Sequence, residues 1–392
     1  MSGIATIYQN LKGDKVIWLI VALLSLASLL AVYSATGSMA YRMRGGDNEY
    51  YLFQQAFFLM AGMGAMYAAY KLHYMQYSKL APALLLLAVA ALMWTLGFGT
   101  EINEAKRWIT LPWIDKTIQT SDFAKPVLII WVARALAVKQ DYIKDFKQAF
   151  LPIIAPVIIV CLLIAPEDLS TAVLLFVTCM LMMIIGRISL RYVLLLIFLG
   201  IMALSVLVMI GSIFPDLVRL DTWMSRINEF IYNTDGGYQL QQSKIAIASG
   251  ELTGVGPGNS MQRNFLPFAY ADFIYAIIVE EYGLIGGFTI LGLYSWLLFR
   301  CTRIVTRCPK TFGAILAMGL CLNIVIQAFA NIAVSVQLVP ATGLTLPLVS
   351  MGGTSILFTC ISLGIILSVS RYVEEAQFKQ AAIEKMEDAS TN

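Results

Sequence analysis

The stretch from Gly250 to Gly283 reads GELTGVGPGNSMQRNFLPFAYADFIYAIIVEEYG, and its interpretation decides the fold. A glycine-rich polar segment passes into an apolar helical run that carries Asp272 at its start and Glu280 and Glu281 further along. An ionisable side chain inside a membrane helix costs about 2.5 to 3.5 kcal/mol on insertion scales, so such acids indicate a cavity, an ion pair or a reaction. The first question is therefore whether this stretch lies in a membrane.

Composition answers that question. Of the 392 residues, 59% are hydrophobic and only 13% are charged, and the mean hydropathy is +0.76. A soluble domain has about a quarter charged residues, and a bilayer core needs about 20 apolar helical residues per span. We predict an all-α polytopic membrane protein, and the net charge of +3 gives no indication of a nucleic-acid partner. The predicted spans are ten: 16–36, 51–70, 79–97, 122–138, 149–165, 168–186, 190–212, 271–299, 311–336 and 351–371.

The distribution of basic residues sets the predicted orientation. An even number of spans places both termini on one side, and the short loops on that side are rich in lysine and arginine, so by the positive-inside rule they are cytoplasmic. We therefore predict a cytoplasmic N-terminus (1–15), a ten-helix transmembrane domain (16–373) and a polar cytoplasmic tail (374–392). The basic residues in question are Lys71, Lys79, Lys139, Lys144, Lys147, Arg187, Arg191, Arg300, Arg303, Arg307 and Lys310.

A long extracytoplasmic loop (213–270) between the seventh and eighth spans is the least usual connection. Loops of this length are functional or disordered. Helix-like apolar spacing in 217–230 and 238–248 favours an ordered, membrane-skimming lid. Three alternate glycines, at 254, 256 and 258, superficially suggest a phosphate loop, but such a loop ends in Gly-Lys-Ser/Thr and here Pro257 removes a backbone donor. The sequence favours a glycine-rich hinge.

The acids of the opening stretch leave alternatives open. Asp272 lies next to the first turn of its helix, where the helix dipole favours a carboxylate. It is either a general base that stays ionised or a helix N-cap. Glu280 should lie about 12 Å deeper, with Glu281 on nearly the opposite face. For these two we favour a structural role, since buried carboxylates need partners.

Two further groups of residues carry suitable chemistry. Asp122 and Lys125 stand at i and i+3 and can pair on one helical face, where the lysine either binds an anionic headgroup or extends its amine to the interface. Arg107, beside Trp108, is either an interfacial anchor or a bidentate phosphate ligand. The sole histidine, His73, lies in a predicted cytoplasmic loop. No cysteine spacing indicates a disulfide or a zinc site.

The segment Pro340 to Ser355, PATGLTLPLVSMGGTS, places two prolines and three glycines at membrane depth. Broken backbone at that depth is tolerated only where protein or a water-filled cavity covers it. We therefore expect this segment to line the same cavity as Asp272. Ser350, Gly352 and Gly353 are its candidate substrate-binding residues.

These motifs, taken together, resemble the SEDS family of bacterial cell-division, elongation and sporulation proteins. The opening stretch and NIAVSVQLVPATGLTLPLVSMGGTS carry the resemblance, and KRWI, SDFAK, DLSTA and GYQLQQSKIAIASG add matches in family order over nearly the whole chain. GLTLPLVS is more similar to the FtsW branch of the family than to the RodA branch.

The resemblance implies a ten-helix peptidoglycan glycosyltransferase of the bacterial cytoplasmic (inner) membrane, acting in cell division at the septum or, alternatively, in RodA-type elongation. Asp272 matches the family's essential aspartate, and Arg107, Asp122 and Lys125 match its other polar motif positions. The implied partners are lipid II, the nascent glycan strand, membrane lipids, a class B penicillin-binding protein and other division proteins. No cofactor is required by the sequence, although a divalent cation such as Mg²⁺ or Mn²⁺ is compatible with it.

The chain also departs from the family pattern. A Pro-Glu-x-His-Thr run usually precedes the essential aspartate, but Phe268, Ala269, Tyr270 and Ala271 follow the proline here. The acid of the 122–138 span is usually glutamate rather than aspartate, and tyrosine is usual where Met351 stands.

The mechanistic hypothesis is that Asp272 deprotonates the GlcNAc 4-hydroxyl of the acceptor lipid II as that oxygen attacks the anomeric carbon of the donor strand. Undecaprenyl pyrophosphate leaves with inversion, stabilised by Arg107 and Lys125, with Asp122 orienting the lysine. Two alternatives stay open: a flippase that moves lipid II across the membrane, which should expose charge to both sides, and a scaffold that only recruits a transpeptidase.

Overall fold

The structure is a computed structural model that describes residues 12–45, 47–102, 105–111, 116–213, 218–232 and 237–391. Within these ranges the chain forms thirteen α-helices and three short strands. The helices are α1 Lys15–Ala35, α2 Gly37–Arg44, α3 Asn48–Lys71, α4 Tyr74–Phe98, α5 Thr120–Val138, α6 Leu151–Ile164, α7 Leu169–Ile185, α8 Leu190–Ile213, α9 Leu220–Tyr232, α10 Tyr238–Gly250, α11 Ile274–Arg307, α12 Thr311–Ser335 and α13 Thr354–Thr391.

Each predicted span has a corresponding helix, so the prediction of a polytopic helical membrane protein is confirmed. Among the described residues, eight helical segments are long and apolar enough to cross a membrane. The segment 146–164 is one of them and joins a π-helical turn to α6. The other two predicted spans correspond to α7, which has 17 residues, and to α5, which carries Asp122, Lys125 and Arg134. Much of the predicted N-terminal segment 1–15 lies outside the described residues.

Small residues let the helices approach closely. A Cβ on Gly364 of α13 would overlap the backbone of Met66 on α3, and one on Gly62 would lie 2.8 Å from Cys360 Sγ. Glycine at such contacts allows membrane helices to pack by van der Waals contact. α12 lies at the centre of the bundle, with 78% of its most apolar window buried, whereas α8 lies at the edge with 11% buried.

A small antiparallel sheet is added to the all-α architecture, whose predicted fold class is confirmed. Its strands are β1 Thr100–Ile102, β2 Ala105–Leu111 and β3 Lys116–Gln119, in the order β1–β2–β3. Trp108 is opposite Gln119 in the register, and β3 runs directly into α5. These strands lie in the region 98–121, between the predicted spans 79–97 and 122–138. The sheet fixes the position of Arg107, the residue before Trp108.

The two helices in the long loop agree with the apolar spacing there. α9 and α10 cover residues 220–232 and 238–250, close to the segments predicted to be helical. α10 packs against α11, and Ser243 Oγ of α10 donates to the Ser335 carbonyl at the end of α12.

The predicted span 271–299 is wrong in one respect, because α11 is broken. Gly283 has φ 67° and ψ −171°, which are not helical angles. A short helix from Ile274 therefore precedes the break, and the membrane-length helix follows it. Glu281 contacts Ser34, the penultimate residue of α1, so Glu280 and Glu281 lie at the Asp272 end of the bundle and not two turns deeper in the membrane.

The glycine-rich segment fills this break, which corrects its interpretation as a hinge. Val255 and Gly256 N–H groups donate to the Glu280 and Glu281 carbonyls at 2.9 and 3.1 Å, replacing helical hydrogen bonds that the break removes. On the far side of the break, the Leu284 and Ile285 N–H groups donate back to the carbonyls of residues 251 and 252. Buried backbone groups need such partners.

Candidate functional site

Hydrogen bonds to both the N–H and the carbonyl group of Asp272 hold its main chain in place. Its N–H donates to the Phe268 carbonyl at 3.1 Å, and its carbonyl accepts from Asn331 Nδ2 at 2.7 Å. The Ser350 hydroxyl donates to the neighbouring Ala271 carbonyl at 2.5 Å. The residue before the first turn of α11 is Phe273, and no side-chain hydrogen bond caps that helix. The N-cap interpretation of Asp272 is therefore wrong, and its carboxylate is not used to start a helix.

The turn before Asp272 contains the departures from the family pattern. Phe268 has φ 55°, a left-handed conformation, and its carbonyl also accepts the Ala271 N–H at 2.9 Å. Tyr270, which stands where histidine is usual, lies beside Phe268 with ring centroids 6.4 Å apart. Burial raises the pKa of the Tyr270 hydroxyl, and the nearby Asp272 carboxylate raises that pKa further. Tyr270 is thus a neutral neighbour of Asp272.

Arg226 of α9 faces Asp272 across Gly343. A Cβ built on Gly343 would lie 3.7 Å from Arg226 Nη2 and 3.8 Å from Asp272 Oδ2, so both groups border the same small space. Arg226 Nη1 donates to the Thr342 carbonyl at 3.2 Å. Both residues belong to the described part of the chain, and no direct ion pair joins them there.

Arg107 is held by the turn between α6 and α7. Its Nη1 lies 3.1 Å from Asp168 Oδ2, and its Nη2 donates to the Glu167 carbonyl. The other Asp168 carboxylate oxygen accepts the Thr171 N–H at the start of α7, at 3.1 Å. Arg107 Nε is buried and has no hydrogen-bond partner among the described residues. Asp168 therefore holds the Arg107 guanidinium in place, while the N–H at Arg107 Nε has no acceptor among the described residues.

The charged groups around Asp272 shift the pKa of its carboxyl in opposite directions. Burial raises the pKa of the Asp272 carboxyl, Arg226 lowers it, Asp168 raises it and Arg107 lowers it, with the net result at about 6. Burial also lowers the pKa of the Arg226 guanidinium. A carboxylate with a pKa near neutral is suited to accept a proton at physiological pH, so this environment favours the general-base interpretation of Asp272.

A cavity of about 370 Å³ lies beside these groups. That volume is in the range of small-ligand sites. Its charged lining residues are Arg107, Glu167, Asp168, Arg219 and Arg226. The broken segment after α12 also lines it, through residues 340–342 and 344. The broken segment therefore lines this cavity, and its Gly343 lies near Asp272. Asp272 is not itself among the lining residues, so the expectation that the two share one cavity stays a prediction. The buried Thr342 hydroxyl has no partner among the described residues.

An apolar groove of about 320 Å³ continues from this cavity. Leu169, Val173 and Val177 of α7 line both spaces. The remaining lining residues of the groove come from α6, α7 and α8 and are almost entirely apolar. The chain therefore joins a cation-rich cavity to a hydrocarbon-like groove along one helix.

Asp122 and Lys125 form a separate buried pair. Lys125 Nζ lies 2.8 Å from Asp122 Oδ1 and 3.4 Å from Gln327 Oε1. They border a much smaller cavity of about 10 Å³ together with Asn323. Asp122 Oδ2 has no partner among the described residues. The predicted pairing of Asp122 and Lys125 is confirmed, while their contact with substrate stays a prediction.

The remaining candidates belong to the segment that supports Asp272. The Ser350 hydroxyl accepts the Leu346 N–H at 2.8 Å as well as donating to Ala271, so it joins the broken segment to the Asp272 turn. The Met351 N–H donates to the Tyr270 carbonyl at 2.9 Å. Gly353 has φ 53°. Substrate binding by Ser350, Gly352 and Gly353 stays a prediction.

Glu280 and Glu281 have structural partners, as favoured from the sequence. The Glu280 carboxylate accepts the Ser260 hydroxyl and the N–H groups of Met261 and Gln262 at 3.0 and 3.2 Å. Glu281 accepts the Ser34 hydroxyl and the Ser260 N–H. Both carboxylates therefore anchor the glycine-rich segment to the broken helix.

Sequence reasoning missed Arg226 as a site residue. Arg219, Trp223 and Arg226 all line the cavity, and their spacing of four and three residues places them on one helical face. The i, i+4, i+7 spacing was the available signal, but only the apolar residues of the segment 217–230 were used to predict its helix. No group of three or more metal-ligating side chains occurs within the described ranges, and the divalent cation stays a prediction.

Comparisons with known proteins agree with these observations. A model of the cell cycle protein family that groups FtsW, RodA and SpoVE matches residues 14–375. The chain is 34% identical over 362 residues to a protein of Nitrosococcus halophilus named "Probable peptidoglycan glycosyltransferase FtsW", covering 90% of this chain and 91% of that one. It is 33% identical over 369 residues to stage V sporulation protein E of Bacillus subtilis, covering 93% and 98%.

Solved structures show the same fold at lower sequence identity. One, described as "Structural coordination of polymerization and crosslinking by a peptidoglycan synthase complex", matches with TM-score 0.71 at 23% identity, covering 92% of this chain and 98% of that chain. The rod shape determining protein RodA of Thermus thermophilus matches with TM-score 0.66 at 23% identity, covering 93% and 98%.

Proposed function

This chain belongs to the FtsW/RodA/SpoVE family of cell cycle proteins, and we propose that it is a peptidoglycan glycosyltransferase that polymerises lipid II into glycan strands. Relatives that are about a third identical over nine-tenths of the chain carry the name peptidoglycan glycosyltransferase FtsW. We also propose a role in cell division, which the description of the family as cell cycle proteins supports.

In the proposed reaction Asp272 is the general base. Its carboxylate takes the proton of the acceptor's GlcNAc 4-hydroxyl as that oxygen forms a bond to the anomeric carbon of the donor strand. The bond from that carbon to the diphosphate oxygen breaks, and undecaprenyl diphosphate leaves with the electron pair, so the configuration inverts. A pKa of about 6 keeps most of the Asp272 carboxyl ionised at neutral pH while leaving it able to hold a proton.

The observation that carries the proposal is the continuity of two unlike spaces along α7. A lipid-linked sugar diphosphate has an anionic, hydroxyl-rich head and a long hydrocarbon tail. The cation-rich cavity suits the head and the apolar groove suits the tail, and Leu169, Val173 and Val177 line both. Arg107 supplies a fixed guanidinium in the cavity, and guanidinium groups bind phosphate oxygens bidentately. Asp122 and Lys125 remain proposed substrate-binding residues.

We propose that the protein is a multi-pass protein of the bacterial inner membrane, with 1–15 and 374–392 in the cytoplasm and the loop 213–270 outside. The positive-inside distribution of its loops supports this orientation. The proposed partners are a class B penicillin-binding protein and other division proteins at the septum. Localisation of a fluorescent fusion to the septum rather than the side wall tests the division role against the elongation role.

Reconstitution with lipid II separates polymerisation from transport. The purified wild-type protein is inserted into vesicles that contain lipid II and no other polymerase, and two products are followed: glycan strands on gels, and fluorescent lipid II moved between leaflets. We expect glycan strands. Movement of lipid II without glycan strands would instead identify a flippase, and neither product from a folded protein would favour a scaffold.

A further inference from the structure

The proposed reaction needs a cation at the departing diphosphate, and the structure offers several arginines and one lysine near the site. Two of these cations, Arg107 and Lys125, already face a carboxylate. Arg107 pairs with Asp168 at 3.1 Å, and Lys125 pairs with Asp122 at 2.8 Å. Their positive charges are therefore largely compensated before a substrate enters.

Arg226 is different. Its Nη1 donates to a neutral group, the Thr342 carbonyl, and no carboxylate of a described residue lies within ion-pair distance of it. Asp272 lies across the space above Gly343. Arginine has five N–H donors in a planar fork, so one bond to Thr342 leaves an edge of the guanidinium for a ligand.

The space between Arg226 and Asp272 exists because residue 343 is glycine. A Cβ there would lie within 3.8 Å of both Arg226 Nη2 and Asp272 Oδ2. Gly343 also has φ 72°, a conformation that glycine adopts without strain. Unpartnered polar atoms border this region too, namely the buried Thr342 hydroxyl and the Arg107 Nε in the same cavity wall.

We propose that Arg226 binds the diphosphate of the lipid-linked donor directly and that Gly343 keeps open the space in which this diphosphate meets Asp272. This inference rests on the proposed glycosyltransferase activity. Arg226 then holds the leaving group on one side of the reacting carbon, and Asp272 receives the proton on the other. A side chain at position 343 would occupy the space between them.

The charge of Arg226 also acts on Asp272. The charged groups facing Asp272 are Arg226 from α9, Arg107 from β2 and Asp168 from the turn before α7, with the neutral Tyr270 on its own segment. Arg226 favours the ionised form of Asp272. Its replacement by glutamine should therefore raise the pKa of Asp272 and move the acid limb of the activity to higher pH.

The direct test measures binding of undecaprenyl diphosphate, with undecaprenyl monophosphate as the comparison ligand, to detergent-solubilised Arg226→Gln, Arg226→Lys and wild-type protein. Loss of one charge-assisted contact should weaken diphosphate binding about tenfold or more in Arg226→Gln and less in Arg226→Lys. The matched control is Arg303→Gln, whose guanidinium lies over the Phe299 ring at the opposite end of the bundle. Unchanged diphosphate affinity in a folded Arg226→Gln protein would overturn the inference.

Two further measurements keep the inference testable. The pH–rate profile of Arg226→Gln should have its acid limb above that of wild type, and an unmoved limb contradicts the proposal. Gly343→Ala should lose about tenfold or more in kcat, since its methyl group would occupy the space in which the diphosphate is positioned. Gly45→Ala, at φ 63° with open space around it, controls for backbone strain. A Gly343→Ala rate equal to that of Gly45→Ala contradicts the role of the space.

These outcomes are distinct from a failure of the proposed function. If wild-type protein makes no glycan from lipid II, the glycosyltransferase proposal fails, yet diphosphate binding by Arg226 is still measured without turnover. The other case is that wild-type protein polymerises lipid II as proposed. If Arg226→Gln then has the wild-type affinity for undecaprenyl diphosphate and the wild-type pH–rate profile, only the inference about Arg226 fails.

Discussion

Asp272 combines a fixed backbone with a carboxylate whose charge is balanced by opposing neighbours. Asn331 and the residues before α11 hold the main chain, while burial and Asp168 oppose the two arginines and leave the carboxyl pKa at about 6. The Asp272 position was predictable because an acid at the mouth of an apolar run is unusual, and because the surrounding motif resembles a family.

The rate of glycan synthesis should depend on pH through Asp272. A general base acts only when it is deprotonated, so the rate should fall as pH falls through the Asp272 pKa of about 6 and should reach a plateau above it. Below that pKa the decrease should approach about tenfold per pH unit. Initial rates from pH 4.5 to 8.5 on one lipid II preparation check this. A profile that is flat between pH 5 and 8 would contradict the assignment.

Arg226 was not predictable as a site residue, for a physical reason. A sequence shows that Arg219, Trp223 and Arg226 share one helical face, but not what that face is turned toward. That depends on how α9 packs over the cavity and on the left-handed turn at Gly343. Neither follows from the apolar spacing of 217–230, which predicts a helix there but not what that helix packs against.

The broken helix α11 and the glycine-rich segment form one structural element. Hydropathy predicted an uninterrupted span because Tyr282, Gly283 and Leu284 do not interrupt an apolar run. The break depends on main-chain hydrogen bonds from residues distant in sequence, which fill the gap from 251 to 256. Glu280 and Glu281 anchor the same segment through Ser260 and Ser34. The sequence indicated buried acids with partners, but not which partners.

Replacing Gly254 and replacing Gly258 by alanine should reduce the stability of the fold by different amounts. Gly254→Ala would place a Cβ on the Glu281 carbonyl, whereas Gly258→Ala has open space, although both positions have positive φ. Left-handed backbone costs an L-residue about 1 to 2 kcal/mol, and this cost should appear in both variants. Gly254→Ala should lose about 1 to 3 kcal/mol more through overpacking.

Thermal unfolding of the purified variants in one detergent measures that difference. The expected order of Tm is wild type, then Gly258→Ala, then Gly254→Ala. Equal Tm values for the two alanine variants would show that the segment does not pack into the break as described.

Across the whole molecule, the first and last helices are joined away from the site. Asp14, at the start of α1, accepts from Arg300 Nε and Nη2 at 2.8 and 2.6 Å, and its N–H donates to Ser370 Oγ of α13 at 2.9 Å. One residue thus connects α1, α11 and α13. The ten-span arrangement was predictable from hydropathy, whereas these contacts join residues 286 and 356 positions apart and are set by packing.

Asp14→Ala should therefore destabilise the fold without changing the chemistry. Removing one partner of a buried ion pair costs about 3 to 5 kcal/mol, and partial exposure of Arg300 should bring the cost toward about 2 kcal/mol. The matched control is Lys12→Ala, which removes the exposed pair between Lys12 and Glu375 and should cost less than about 1 kcal/mol. A Tm that falls no further for Asp14→Ala than for Lys12→Ala would contradict this role.

The most direct measurement compares the rate at which purified Asp272→Asn and wild-type protein form glycosidic bonds from lipid II, with Asp221→Asn on the exposed face of α9 as the matched control. Asparagine keeps the shape of the side chain and removes its basicity. Since a positioned general base contributes a factor of about 10² to 10⁴, the Asp272→Asn rate should fall by that factor while Asp221→Asn stays near wild type. A folded Asp272→Asn protein that polymerises lipid II at the wild-type rate would contradict the account.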